Sequence, residues 1–310
     1  MPNILEVKNL KISFKIEDEV YPCIKNLSLD FKKGKMHAIV GESGCGKSVF
    51  ATSILKLLPK NAIVNGGEII FEGQNLLGLN ENEIRKIRGK KIALIPQDPM
   101  TSLNPLYTIE NQLMEVIDLP KEEAQKAILE KLNEVGIVEP EKRLTAYPHE
   151  LSGGMKQRII IAMALLVDAE IILADEPTTA LDVTIASQIL DLLSEIKNRG
   201  KSVILITHDL GIVSKYCDEV SVMYLGKIVE HATPRELFKN PKHPYTKALI
   251  GALPINKNKK LQNIKGQPSP ITESISGCQF HPRCEFVMEK CRVTSPEISP
   301  ETNVACFLYA

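Results

Sequence analysis

Apolar residues along this chain fall into two patterns. Leu10, Ile12 and Phe14 alternate with polar residues, as do Leu27, Leu29 and Phe31 before a turn at Gly34. Alternation of this kind predicts half-buried antiparallel strands. The charged stretch Lys15 to Cys23 between them reads as an exposed linker. Continuous apolar runs at Met36–Val40, Ile92–Ile95, Ile171–Ala174 and Val203–Ile206 predict buried strands. Gly66-Gly67 starts a further strand, Glu68 to Glu72, closed by Gly73-Gln74.

Helical spacing separates these runs. Val49 to Leu58 places Phe50, Ile54, Leu57 and Leu58 on one face, with Pro59 as the stop. Glu81 to Arg88 predicts a short charged helix and Thr108 to Ile117 another. Lys121 to Val135 carries Ala124, Ile128, Leu132 and Val135 on one stripe, entered at Pro120 and left at Gly136. Pro140 and Pro148 break the chain. Ser152 is a natural N-cap for a helix running to Leu166. Ile185, Ile189, Leu193 and Ile196 mark one more helix, ended by Gly200.

Composition narrows the class. The 310 residues allow one large domain with an appendage, or two domains, and 44% hydrophobic content is enough for a sizeable core. Lys+Arg and Asp+Glu both number 38, so no basic field suggests a nucleic-acid partner. No apolar run approaches the ~20 residues of a membrane span. Met1-Pro2-Asn3 opens neither a basic nor an apolar leader, so a cytosolic location is expected. Seven cysteines in such a chain do not suggest a disulfide framework.

The stretch Gly41-Glu42-Ser43-Gly44-Cys45-Gly46-Lys47-Ser48 fits the phosphate-binding loop pattern, between a buried strand and a helix beginning at Val49. Its glycines let successive backbone N–H groups point at phosphate oxygens, and the helix N-terminus adds its positive dipole end. Lys47 would neutralise the β- and γ-phosphates, and the Ser48 hydroxyl would hold Mg²⁺. Cys45, beside Lys47 at a helix N-terminus, is expected to favour thiolate and to block nucleotide binding when a bulky reagent labels it. Phe14 or Tyr21 would stack on a purine base, with Phe14 preferred.

Three polar groups end apolar strands, where parallel sheets bind ligands: Gln97, Asp175-Glu176 and His208. Gln97 would reach Mg²⁺ or the attacking water. Two adjacent carboxylates repel each other and are stabilised by a cation, which suits Asp175 to Mg²⁺ and Glu176 to general-base work. Gly153 and Gly154 directly after a cap weaken the helix by ~1 kcal/mol each, which makes sense where an anion or another backbone approaches.

These motifs, taken in order, resemble the ATP-binding cassette ATPases. The resemblance rests on the phosphate loop, Gln97, Leu151-Ser152-Gly153-Gly154, Ile171 to Glu176, Ala180-Leu181-Asp182 and His208, and covers about residues 1–230. It implies an α/β fold with a P-loop RecA-like core, an antiparallel β-subdomain and an α-helical subdomain at about 98–165. It also implies that two cassettes sandwich two ATP molecules, each between one subunit's loop and the Ser152-Gly153-Gly154 segment of the other, with Asp182 nearby. Met155 stands where the family commonly has glutamine. Gln97-Asp98-Pro99-Met100-Thr101-Ser102-Leu103-Asn104-Pro105 and His243-Pro244-Tyr245-Thr246-Lys247-Ala248-Leu249 resemble the oligopeptide/dipeptide/nickel importer ATPases, most of all their D-type subunits. For this family the resemblance implies a second related ATPase as partner, or a homodimer in isolation, and two membrane permease subunits. An extracytoplasmic binding protein would act indirectly, and the ATPase would sit on the cytoplasmic face of the membrane. A nickel or other small-solute importer, and a soluble non-transport cassette, are the alternatives.

Residues 231–310 differ. Pro241, Pro244, Pro254, Pro268, Pro270, Pro282, Pro296 and Pro300 break regular structure, so this extension needs a staple. Cys278, Cys284, Cys291 and Cys306 supply four thiols, the count for a zinc site or an iron–sulfur cluster. Their spacings of 5, 6 and 14 residues lack the paired knuckles of zinc ribbons. Gly277 to Cys284 resembles the C-terminal motif of the peptide-importer ATPases, some of which hold a [4Fe–4S] cluster, so a cluster is expected ahead of Zn²⁺. His281 reads as structural. Cys23 and Cys217 read as small apolar fillers.

Overall fold

The computed structural model describes residues 2–179, 181–253 and 264–309. Ala180 and Pro254, both named above, lie outside the described residues. The chain divides into two units, residues 1–78 with 207–310, and residues 79–206.

The first unit opens with β1 (Asn3–Ile16) and β2 (Glu19–Lys32), which pair antiparallel along nearly their whole length. The expected linker at 15–23 is therefore a hairpin. Its strands project beyond the buried core, where backbone pairing rather than burial holds them, so charged side chains face water. Buried β3 (Met36–Val40) leads into the phosphate-loop segment and α1 (Lys47–Ile54). α1 starts two residues before, and ends four residues before, the span predicted from periodicity. Lys56 turns into the left-handed region and leaves Leu57 exposed. β4 (Ala62–Phe71) begins six residues earlier than expected, because Gly66-Gly67 lies inside the strand. The register against β1 shifts there, and a Cβ on Gly67 would stand 2.5 Å from Leu10 Cα. β5 (Gln74–Asn75) completes a four-stranded sheet ordered β2-β1-β4-β5.

In the second unit, α2 (Glu81–Ile84) is shorter than predicted and is opened by a capping box between Asn80 and Glu83. β6 (Ile92–Ile95) leads to α3 (Pro99–Ser102), α4 (Ile109–Glu115), α5 (Lys121–Glu134) and α6 (Pro140–Leu144). Pro99 and Pro140 each stand at the first turn of a helix, where a missing N–H costs nothing, so Pro140 starts a helix rather than only breaking the chain. α7 (Gly153–Leu166) is capped by Ser152, whose Oγ accepts from Met155 N at 3.3 Å. β7 (Ile171–Asp175), α8 (Val183–Asn198) and β8 (Ser202–Thr207) follow, with β6, β7 and β8 parallel and in register.

The chain then returns to the first unit through α9 (Leu210–Tyr216), β9 (Glu219–Tyr224) and β10 (Lys227–Ala232). β9 pairs parallel with β3 and antiparallel with β10. Residue 230, the expected end of the cassette, lies within β10. α10 (Pro234–Lys239) and α11 (Pro244–Gly251) carry proline at their first turn, so the extension begins with regular helices and turns irregular only afterwards. Beyond residue 264 the longest element is the short α12 (Glu289–Val293). Residues 303–305 pair with β10 through His231 N to Asn303 O and Ala305 N to Val229 O, each 2.9 Å. Tyr224, Tyr245 and Phe280 join β9, α11 and the extension in one buried apolar cluster.

Candidate nucleotide site

The phosphate-loop residues wrap tightly for identifiable reasons. Gly44 and Gly46 have φ of 79° and 105°, backbone that side chains rarely tolerate. Gly41 has no positive φ, yet a Cβ there would meet Met223 O at 2.2 Å. Ser43, Gly44 and Ser48 are exposed, Val49 is half-buried, and Lys47 is buried. Lys47 Nζ donates to Gly41 O at 2.9 Å and Glu42 O at 3.1 Å, so the loop's own carbonyls hold its cation. Phe14 and Tyr21 are cross-strand partners in the hairpin, both half-buried, and Tyr21 Oη donates to Glu19.

Cys45 corrects an expectation. Its side chain is 3% exposed, and burial raises its thiol pKa although Lys47 acts in the opposite direction. Desolvation of the thiolate outweighs the nearby cation, so the thiol form is favoured. Cys23, also buried, is pushed up to about 11 by burial and by Cys45.

In the second unit the strand-end residues converge. Asp175, the last residue of β7, is buried. Glu176 follows with φ of 45°, a left-handed conformation that costs a non-glycine residue about 1–3 kcal/mol and persists only where its surroundings impose it. Its N–H donates to Ile206 O at 2.9 Å, which anchors the turn to β8. Its carboxylate Oε2 accepts from Gln97 Nε2 at 3.2 Å and from Thr179 Oγ1 at 3.0 Å. Two expected site residues thus meet directly. Thr179 joins the site beyond the residues expected from the sequence; its signal there is a hydroxyl three residues after a strand-end carboxylate. His208 is exposed just past β8 in the first unit.

Around the N-terminus of α7, Ser152, Gly153 and Gly154 line an open cavity of about 730 Å³ with Arg143, Arg158, Leu181 and Asp182. A Cβ on Gly153 would find nothing nearer than 3.8 Å, so packing within the chain does not require glycine there. Asp182 caps α8, its Oδ1 accepting from Ile185 N at 3.0 Å. Lys156 Nζ reaches Met100 Sδ at 3.6 Å, which joins α7 to α3 beside Gln97.

The four extension cysteines line one small cavity with Phe280, Phe286, Met288 and Phe307. Its free space is about 10 Å³, room for a single water. Among the described residues no three His, Cys, Asp or Glu side chains are arranged to hold a metal ion, so the expected ligand cage is not formed. Burial pushes Cys278 up to about 11, with the neighbouring cysteines adding to the shift. His281 Nδ1 bonds Cys278 O at 3.0 Å, a structural contact. Cys217 packs against the cluster around Tyr224 and Tyr245.

The ABC transporter family model matches residues 24–179, and that of the oligopeptide/dipeptide transporter C-terminal region matches residues 229–291. The chain is 47% identical to a probable peptide ABC transporter ATP-binding protein, y4tR, of Sinorhizobium fredii, over 98% of this chain and 94% of that protein. It is 47% identical to the dipeptide transport ATP-binding protein DppD of Bacillus subtilis, over 94% and 89%. With the oligopeptide transport ATP-binding protein OppD of Haemophilus influenzae it shares 45%, over 94% and 93%. Among solved structures, the dimeric ATP-binding cassette MJ0796 bound to ADP and Pi superposes with a TM-score of 0.67 at 30% identity, over 74% of this chain and 99% of that one. Phosphate loop, strand-end carboxylates, capped glycine helix and C-terminal region together place the chain in the ABC transporter ATPase family, with the C-terminal region of oligopeptide and dipeptide transporters.

Proposed function

We propose that this chain is the ATP-hydrolysing subunit that energises import of dipeptides or oligopeptides, and that Glu176 is its general base. The observation that carries the chemistry is the Glu176 carboxylate, fixed by Gln97 and Thr179 on a strained turn after β7. A carboxylate so held can take a proton from water as the water oxygen attacks the γ-phosphorus. The bond to the β,γ-bridging oxygen breaks, ADP departs and phosphate remains. Lys47 and the loop N–H groups of Gly44, Cys45, Gly46 and Ser48 oppose the charge on the phosphates. Gln97 and His208 orient water and γ-phosphate, and Phe14 or Tyr21 stacks on the base. Ser48, Asp175 and Gln97 would hold Mg²⁺ through their side-chain oxygens, and the ion would supply charge neutralisation on the phosphates. Ser152, Gly153 and Gly154 face the ATP of a second cassette, which explains a glycine at 153 that internal packing does not need.

The relatives, which are named for dipeptide and oligopeptide transport, and the dimeric cassette structures support this reading of cargo and assembly. A related ATPase and two membrane permeases are the proposed partners, on the cytoplasmic face of the membrane. Met100, Leu106 and Tyr107 stand exposed after Gln97 and suit contact with a permease. Glu176→Gln should retain ATP and lower turnover about 10²- to 10⁴-fold. Hydrolysis near the wild-type rate would reject Glu176 as base.

A second reading concerns the extension. Cys278, Cys284, Cys291 and Cys306 line one cavity, and thiols are the donors of a [4Fe–4S] cluster, with Zn²⁺ as the alternative, so binding would have to draw them into the cage that they do not form here. Cys278, Cys284, Cys291 and Cys306 would hold it as thiolates, and its contribution would be structural cross-linking. Iron and acid-labile sulfide in equal amounts in protein purified without oxygen would support the cluster. Zinc alone would support the alternative, and neither metal would remove both.

A further inference from the structure

The second residue of the phosphate loop is held from the far end of the chain. Glu42 N donates to Tyr245 Oη of α11 at 2.9 Å. The Glu42 carboxylate accepts two parallel bonds from Arg283, Nη1 to Oε2 at 2.7 Å and Nη2 to Oε1 at 3.1 Å. Arg283 is 6% exposed in its side chain and Glu42 23%, so this fork is shielded from water. The guanidinium is itself fixed. Its Nε donates to Lys265 O at 2.8 Å, Nη2 to Gly266 O at 3.2 Å and Nη1 to Tyr224 Oη at 3.3 Å. It also lies 5.8 Å from the Tyr224 ring centroid and 5.9 Å from that of Phe280. Lys47 holds the Glu42 carbonyl from the other side.

A carboxylate in a phosphate-binding loop is a liability, because it repels a polyanionic ligand. Bidentate pairing cancels that charge and turns both oxygens away from other donors. Tyr245 and Arg283 both fall within the region shared with oligopeptide and dipeptide transporters, outside the cassette match. Arg283 immediately precedes Cys284, and Phe280 lines the cysteine cavity, so the fork is continuous with the thiol cluster.

We propose that the C-terminal extension tunes nucleotide affinity, with Arg283 and Tyr245 as positioning residues that neutralise and orient Glu42. The inference rests on the reading of residues 41–48 as the phosphate seat. It assigns the extension a task in the ATPase cycle: a change that displaces residues 278–284 unpairs Glu42 and loosens nucleotide.

The test is equilibrium binding of trinitrophenyl-ATP to the full chain, with turnover measured alongside. Arg283→Gln should weaken binding about tenfold, more at low salt than at high, while kcat at saturating ATP stays within about twofold. Adding Glu42→Gln to Arg283→Gln should restore affinity, since the unpaired charge is gone; a packing defect would not be rescued this way. Lys47→Ala is the control. If it binds nucleotide normally, the phosphate-seat reading fails and takes the inference with it. If Lys47→Ala loses binding while Arg283→Gln binds like wild type, or the double variant shows no rescue, the inference alone is overturned. Should Arg283→Gln not fold, Glu42→Gln alone decides: affinity equal to or above wild type supports the proposal, and a tenfold loss overturns it.

Discussion

Gln97 Nε2 donates to Glu176 Oε2 across 3.2 Å, so the loop after β6 holds the carboxylate that immediately follows β7. The amide removes one degree of freedom from a group that already sits on a left-handed turn. Thr179 removes another. A general base works best when its lone pair is aimed before substrate arrives. Gln97→Ala should therefore lower kcat about tenfold while ATP still binds, because Thr179 keeps one of the two bonds. Thr179→Ala should cost a similar factor, and the double variant should approach the Glu176→Gln level. Single-turnover hydrolysis by the three variants checks this; a double variant no slower than either single one would mean that the two donors do not act through Glu176.

Individual residues of this site were readable, but their meeting was not. Gln97 and Glu176 each end an apolar run, which periodicity locates well because buried parallel strands leave continuous apolar segments. That Gln97 bonds Glu176 depends on the β6–β7 register, in which Ile95 pairs with Ala174, and register is set by sheet packing rather than local composition. The hairpin at 15–23 was missed because its pairing is backbone pairing beyond the core. α6 and α11 are hidden in the sequence because proline, a breaker inside a helix, occupies their first turn. The Arg283–Glu42 fork joins residues far apart in the chain, and no local pattern announces it.

Gly41 tests whether close approach or backbone freedom sets the loop. A methyl group at Gly41 would overlap Met223 O, a backbone atom of β9 that cannot rotate away. Gly41→Ala should cost about 1–3 kcal/mol of stability and distort the seat for the phosphates. At Gly44 the space is open and only the positive φ resists, so Gly44→Ala should cost about 1 kcal/mol. Urea midpoints of the two variants should rank in that order; the reverse order would show that loop strain exceeds the clash.

Cys45 should react slowly. Its thiol is buried and its pKa raised, so little thiolate exists at neutral pH and a maleimide must wait for the loop to open. Labelling at pH 7.5 should be at least tenfold slower than for an unstructured cysteine peptide, and bound ATP should slow it further. Mass spectrometry of the Cys45 peptide against time reads both effects. Labelling at the free-thiol rate would restore the activated-thiolate picture that burial argues against.

His37 gives the fold a dependence on mild acid. It is buried in β3, its Nε2 bonded to Ser221 Oγ at 2.8 Å and its ring 4.8 Å from that of Phe31. Burial first, then the charges of His231 and Lys32, hold its pKa well below the usual histidine value of 6.5. Glu219 Oε2, at 3.6 Å from His37 Nδ1, does not reverse that direction. The neutral ring is therefore the folded form, whereas the unfolded chain takes up a proton near 6.5. The stability that the neutral ring contributes is fully present above that value. It is lost as pH falls towards the depressed folded pKa, at a slope of up to about 1.4 kcal/mol per pH unit for one proton. His231, bonded to Ser221 Oγ at 3.0 Å, is depressed in the same direction by its own burial and steepens the loss. Urea denaturation at pH 7.5 and 5.0 should show a marked drop for the wild type. His37→Gln, which cannot titrate, should be less stable at pH 7.5 but lose less between the two values. An equal loss in both proteins would move the acid sensitivity away from His37 and leave the Ser221 bond a packing contact only.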